Sequence, residues 1–124
     1  MTFHQWYHEH YQSRWESLHA ALKEPAQMFR LSDGLLQPYF LDEASLMAAR
    51  SLQVQPGDEV LDTCAAPGGK TLVLALELDG RGSLKANDRS SSRRARLHRV
   101  LREHLDERLR SIITVPGHDA SRWG

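Results

Sequence analysis

The stretch Val60-Leu61-Asp62-Thr63-Cys64-Ala65-Ala66-Pro67-Gly68-Gly69-Lys70-Thr71 decides the fold of this 124-residue chain. It reads as a short apolar strand, a tight turn of small residues and the start of a helix. Small residues let a ligand approach the backbone, and a helix start offers unpaired N–H groups to it. A unit of this kind is a candidate site for a nucleotide-type cofactor.

Working outward from it, strand and helix alternate. Residues 59–63 form the first predicted strand and residues 68–78 a largely apolar helix. Asp79-Gly80-Arg81-Gly82 is a turn, and residues 83–87 form a second strand. Residues 90–104 read as a helix with Leu97, Val100, Leu101, His104 and the following Leu105 on its inner face. Residues 111–115 form a third strand, followed by Pro116-Gly117. Strands separated by helices of this length imply right-handed βαβ units and a parallel sheet.

Upstream the pattern changes. Phe3, Tyr7, Tyr11, Trp15, Leu18 and Leu22 recur at spacings of three and four, which predicts one amphipathic helix ended by Pro25. Trp6, Tyr11 and Trp15 are expected to pack it against the core. A loop through Leu31-Ser32-Asp33-Gly34 and Pro38 follows, and Asp42 is an N-cap for a helix over residues 43–52. The chain therefore divides into a helical extension, 1–37, and an α/β unit, 38–124.

In a doubly wound sheet, ligands sit outside the carboxyl ends of the strands. Three features meet there: the turn itself, Asp88 at the end of the second strand, and Asp119 just past the third. An acid in the position of Asp88 accepts hydrogen bonds from ribose hydroxyls, and Asp119 is placed to read a base edge. Gly69-Lys70-Thr71 resembles the end of a phosphate-binding loop, but Cys64 stands where that loop needs glycine. Asp62 would repel phosphates, and G-x-G-x-x-G is absent. An acid two residues before the turn suits S-adenosylmethionine, which carries an ammonium and a sulfonium and no phosphate.

The segment Asp62-Thr63-Cys64-Ala65-Ala66-Pro67-Gly68-Gly69-Lys70-Thr71 also resembles the cofactor motif of the Sun/Fmu/Nop-type RNA cytosine-5 methyltransferases. Tyr39-Phe40-Leu41-Asp42-Glu43-Ala44-Ser45, Ala86-Asn87-Asp88-Arg89-Ser90-Ser91-Ser92-Arg93 and Gly117-His118-Asp119 match the same family, over residues 38–124. The resemblance implies a Rossmann-like, S-adenosylmethionine-dependent fold, present here as the first half of its parallel sheet. It also implies a substrate: C5 of cytosine in RNA, with ribosomal RNA favoured. It places Cys64, Ala65, Ala66, Pro67, Gly68, Gly69 and Lys70 around the methionine and ribose. Asp88 would hold the ribose hydroxyls, Arg93 would lie beside the cofactor, and Asp119 would contact the adenine amino group.

Family members attack C6 of cytosine with a cysteine thiolate. Their catalytic aspartate and two cysteines, in Asp-x-Pro-Cys and Thr-Cys contexts, are expected beyond the last residue of this sequence, and the one cysteine here, Cys64, lies inside the cofactor turn. The expectation is thus a truncated, cofactor-holding half that is inactive alone, with no catalytic residue assigned. A cofactor-binding module without activity and a methyltransferase for a non-RNA substrate are the alternatives.

Composition adds bounds. Sixteen basic and sixteen acidic side chains cancel, so bulk charge calls for neither a polyanion nor a membrane partner. The distribution is uneven, because residues 81–110 hold ten Lys/Arg against four acids. The arginine-rich helix there has an apolar stripe, which makes it first a packing helix with a charged outer face. The single cysteine rules out an internal disulfide and a Cys-based zinc site. His4, His8 and His10 lack an acid or cysteine to complete a metal set. No signal peptide and no apolar run of about 20 residues is present, so a cytoplasmic, non-membrane protein is expected. Mean hydropathy is −0.53.

Overall fold

A computed structural model describes residues 1–123. The N-terminal stripe forms two helices instead of one: α1, Phe3–Tyr11, and α2, Trp15–Lys23, joined by a single 3-10 turn at Gln12–Arg14. The break falls at Gln12, whose φ of 48° is a conformation side chains rarely adopt. A capping box starts α1. Thr2 Oγ1 accepts from the Gln5 N–H, and Gln5 Oε1 accepts from the Thr2 N–H.

Because the chain turns at Gln12, the aromatic stripe folds onto itself. Trp15, 2% exposed, stacks on Tyr7 and His19 at 4.9 and 5.1 Å, and its indole N–H donates to His4 Nδ1 at 3.1 Å. The expected packing against the core is therefore corrected. Trp15 is buried within the helix pair, apart from the main apolar cluster, and Trp6 and Tyr11 are exposed.

The stretch read as loop holds a hairpin: β1, Met28–Leu31, pairs antiparallel with β2, Tyr39–Asp42. Leu31 and Leu41 are its only buried residues, so it shows little of the alternation that marks a half-buried strand. Residues 28–31 lie in the 1–37 segment grouped as the extension, and their pairing crosses the 37/38 boundary. Asp42 caps α3, Glu43–Arg50, as expected. Its carboxylate accepts from the Ser45 N–H and Oγ–H, each at 2.8 Å.

The α/β part follows the sequence closely. Strand β3 is Glu59–Asp62, helix α4 Gly69–Leu78, strand β4 Ser83–Ala86 and helix α5 Ser91–His104, capped by Ser90. A one-turn helix α6, Glu107–Arg110, capped by Asp106, precedes a two-residue strand β5, Ile113–Thr114. The third strand is shorter than predicted because the turn that follows α6 takes up Ser111 and Ile112. Strand order is β3-β4-β5, all parallel, with Val60, Leu84 and Ile113 in register.

That row faces the core beneath α4, where residues 71–75 and Leu78 are buried. The next row, Leu61, Lys85 and Thr114, faces outward. Leu61 is 43% exposed, against 0% for Leu84 one step back on the neighbouring strand. Among the described residues, the sheet is thus covered on one face. Among the described residues, no helix is long and apolar enough to cross a membrane.

Candidate cofactor site

The turn between β3 and α4 is tied down by Asp62. Its Oδ1 accepts from the Cys64 N–H at 3.3 Å and its Oδ2 from the Thr71 hydroxyl at 3.2 Å, joining the strand end to the first turn of the helix. Gly68 has a φ of 124°, and a Cβ there would lie 3.1 Å from both Leu97 and Val100 of α5. A Cβ on Gly69 would meet the Tyr39 ring at 3.1 Å. Ala65 and Ala66 are buried. The small residues thus serve packing against α5 and β2, while Thr63, Cys64 and Pro67 face outward.

Asn87, 1% exposed, connects all three strand ends. Its N–H donates to Asp62 O at 2.8 Å, and its carbonyl accepts from the Ala65 N–H at 2.7 Å. Its side-chain Nδ2 donates to Thr63 O and His118 O at 3.0 and 3.1 Å, and its Oδ1 accepts from the His118 N–H at 2.8 Å. A buried amide with these partners leaves little hydrogen-bonding capacity unmet.

Asp88 follows, 4% exposed. Its Oδ1 accepts from the Ser90 N–H at 3.0 Å, and its Oδ2 lies 3.4 Å from Arg93 Nη2. Arg93 also donates to Ala66 O at 2.5 Å, bridging the turn to the carboxylate. Arg94 donates to the carbonyls of Asp88 and Arg89 at 2.7 and 2.9 Å and packs beneath Gly117. Across the gap, Asp119 Oδ1 accepts from the Ser121 hydroxyl and N–H at 2.7 and 3.1 Å. Those two bonds hold the Asp119 carboxyl below its ordinary range, with a smaller pull from Arg89, whose Nη1 is 3.4 Å from Oδ2.

Together these groups enclose a cleft of about 510 Å³, lined by Thr63, Cys64, Asn87, Asp88, Arg89, Ser90, Arg93, His118, Asp119 and Ala120. Of the residues expected at the site, Cys64, Asp88, Arg93 and Asp119 line it. Ala65, Ala66 and Gly68 are buried, and Pro67, Gly69 and Lys70 stand away from the cleft wall. The charge of Lys70 is felt instead at Asp42, whose carboxyl is held low chiefly by Ser45. Asn87 and His118 carry no local sequence signal for the site, since the hydrogen-bonding role of Asn87 shows only once its partners are in place. An adjoining cleft of about 580 Å³, on the open face of the sheet, shares His118 and Asp119 and includes Lys85 and Trp123. Among the described residues, no His, Cys, Asp and Glu gather as a metal set.

Parallel strands crossed by helices, with acids at consecutive strand ends beside a small-residue turn, define a Rossmann-like methyltransferase class. Residues 49–123 match the family described as 16S rRNA methyltransferase RsmB/F, and the chain belongs to it. It is 47% identical over 95 residues to the 5-cytosine rRNA methyltransferase NSUN4 of Xenopus tropicalis, covering 75% of this chain and 23% of that protein. It is 38% identical over 90 residues to the mitochondrial tRNA (cytosine(34)-C(5))-methyltransferase of Danio rerio, covering 73% and 24%. Among solved structures, NSun6 from Pyrococcus horikoshii with SFG superposes with a TM-score of 0.58 at 29% identity, over 68% of this chain and 21% of that one. The chain spans about a quarter of the length of the curated relatives it matches. The cofactor these comparisons indicate is S-adenosylmethionine.

Proposed function

We propose that this chain holds S-adenosylmethionine for a methyltransferase acting on C5 of cytosine in RNA, with ribosomal RNA as the favoured substrate. The observation that carries the reading is the placement of the Asp88 and Asp119 carboxylates on two sides of one cleft beside the Cys64 turn. The donor set fits the cofactor. Each Asp88 oxygen keeps a lone pair for a ribose hydroxyl, and Asp119, with Oδ1 taken by Ser121 and Oδ2 3.4 Å from Arg89 Nη1, keeps a lone pair on Oδ2 for an amino group. The two arginines of the cleft, Arg89 and Arg93, are each paired with one of these carboxylates, which leaves no clustered cation free for a nucleotide phosphate.

Once bound, S-adenosylmethionine supplies a methyl group on a positively charged sulfur. This chain's own residues bind and orient. Asp88 fixes the ribose, Arg93 steadies both the turn and that carboxylate, and Asn87 sets the distance between the turn and His118. No residue here is assigned to methyl transfer. The chain alone is proposed to bind cofactor without turnover, with residues 38–124 as the binding unit.

Calorimetry tests this directly. The chain is expected to bind S-adenosylmethionine and to show no heat with ATP. Equal affinity for the two, or binding to neither, would remove the proposal. The substrate is tested separately, in a protein that carries this segment together with the rest of a full-length relative. Labelled methyl from S-adenosylmethionine should appear in RNA as 5-methylcytosine.

A further inference from the structure

The outward face of α5 carries more positive charge than packing explains. Arg93, Arg96, Arg99 and Arg102 follow one another three residues apart along the ridge that crosses a helix obliquely, which winds from the side of Leu97 and Val100 at Arg93 to the outward face at Arg99 and Arg102. At 1.5 Å per residue they extend about 13 Å along the axis. Arg93 lines the cleft, as does Arg89 just before the helix, so the ridge begins at the candidate site and leads away from it.

The arginines differ in how they are held. Arg89 pairs with Asp119, Arg93 with Asp88, and Arg81 and Arg108 with Asp79. Arg96, Arg99 and Arg102 are exposed and have no carboxylate within ion-pair distance among the described residues. Of the acids nearest in sequence, Glu103 and Glu107 are exposed and paired with none of them, and Asp106 accepts from the Leu109 N–H. Like charges three residues apart repel and weaken a helix. This one retains them on the outer surface, while Leu97, Val100, Leu101 and His104 anchor the inner face.

We propose that this ridge is a docking track for the phosphate backbone of single-stranded RNA, leading the strand toward the cleft. The inference rests on the reading of the chain as part of an RNA methyltransferase. A target base must be unpaired to be reached, and guanidinium groups spaced along a line neutralise successive phosphates without reading sequence. Arg89 and Arg93 keep their ion pairs at the cleft wall, so the free charges lie just outside the cofactor's place.

The test is fluorescence anisotropy of a labelled 20-nucleotide single-stranded RNA with the complete 124-residue chain. Two variants are compared, Arg96→Gln/Arg99→Gln/Arg102→Gln and the charge-matched Arg14→Gln/Lys23→Gln/Arg30→Gln. The α5 variant should bind at least tenfold more weakly at low salt. With about 0.7 counterions released per phosphate contact on a single strand, its log–log salt slope should fall by roughly two. The control should stay within twofold of the parent. Circular dichroism melts check that both variants remain folded, and calorimetry with S-adenosylmethionine should give unchanged affinity for both. If the parent fails to bind RNA, or the two variants weaken alike, the track is overturned. Loss of the α5 effect with cofactor binding intact sinks the track alone. A clear α5 effect in a chain that ignores S-adenosylmethionine sinks the cofactor reading instead.

Discussion

The Asn87 side chain pairs with the His118 backbone in both directions, donating to its carbonyl at 3.1 Å and accepting from its N–H at 2.8 Å. A side-chain amide here does what a strand residue would do, prolonging the contact between β4 and the chain beyond β5. The third amide bond, to Thr63 O at 3.0 Å, holds the opposite side of the cleft. Asn87→Ala strips three bonds from a buried position. It should lower stability by about 2–4 kcal/mol, at roughly 1 kcal/mol per bond plus the groups left unpaired. It should also speed amide exchange at His118 more than within α4. Denaturant melts that superpose on the parent would show that the clamp is dispensable.

Asp88→Ala should weaken S-adenosylmethionine binding more than tenfold. Arg93→Gln should cost less, because Arg93 acts on the ligand through the turn and the carboxylate. Unchanged affinity in the Asp88 variant, read by calorimetry, would contradict the placement of the ribose.

The two glycines of the turn should respond differently to alanine. Gly68 combines a φ of 124° with contacts to Leu97 and Val100, so Gly68→Ala should lose about 2–3 kcal/mol. At Gly69 the close neighbour is the edge of the Tyr39 ring, which must shift by a few tenths of an ångström. The smaller loss is expected there. The reverse order in thermal melts would mean that the ligand face, and not the α5 face, fixes Gly68.

On the sheet, Leu84→Ala should cost about 2–5 kcal/mol as a cavity in a filled core. Leu61→Thr should stay within about 0.5 kcal/mol, since Leu61 faces outward. A large loss at Leu61 would show that its face of the sheet is covered in solution.

Acid sensitivity follows from Asp42 and Asp119, both held below their ordinary carboxyl range by hydrogen bonds, from Ser45 and Ser121 respectively. A depressed carboxyl stabilises the fold above its unfolded pKa, near 3.9, and that stability is lost as pH falls through the folded value. Melting temperature should therefore drop below about pH 4. Asp42→Asn keeps a neutral cap and should flatten part of that limb. An unaltered acid profile would place the sensitivity elsewhere.

The α/β half was legible because its signals are local and agree with one another. Ser90 caps α5, Leu97 and Val100 sit at helical spacing, and Asp88 falls at a strand end. The hairpin of β1 and β2 escaped because Met28, Phe29 and Arg30 are all exposed and leave no alternation to read. The N-terminal stripe was read as one helix because its period runs unbroken through Gln12. The turn there is a backbone event, and Gln12 has neither the glycine nor the proline that announces one. At the site, the acids were found by their positions after strands. Asn87 gives no such signal, because its hydrogen-bonding capacity shows only once its partners are in place.

The tryptophans give the protein a built-in optical gauge. Trp15 is sealed between Tyr7 and His19, whereas Trp123 stands edge-on to His118 at 5.1 Å, beside Asp119. A ligand settling on Asp119 should disturb the emission of Trp123 and leave Trp15, and Trp6 stacked on His10, unchanged. Trp15 then acts as an internal reference, and occupancy of the cleft becomes readable from fluorescence without a label.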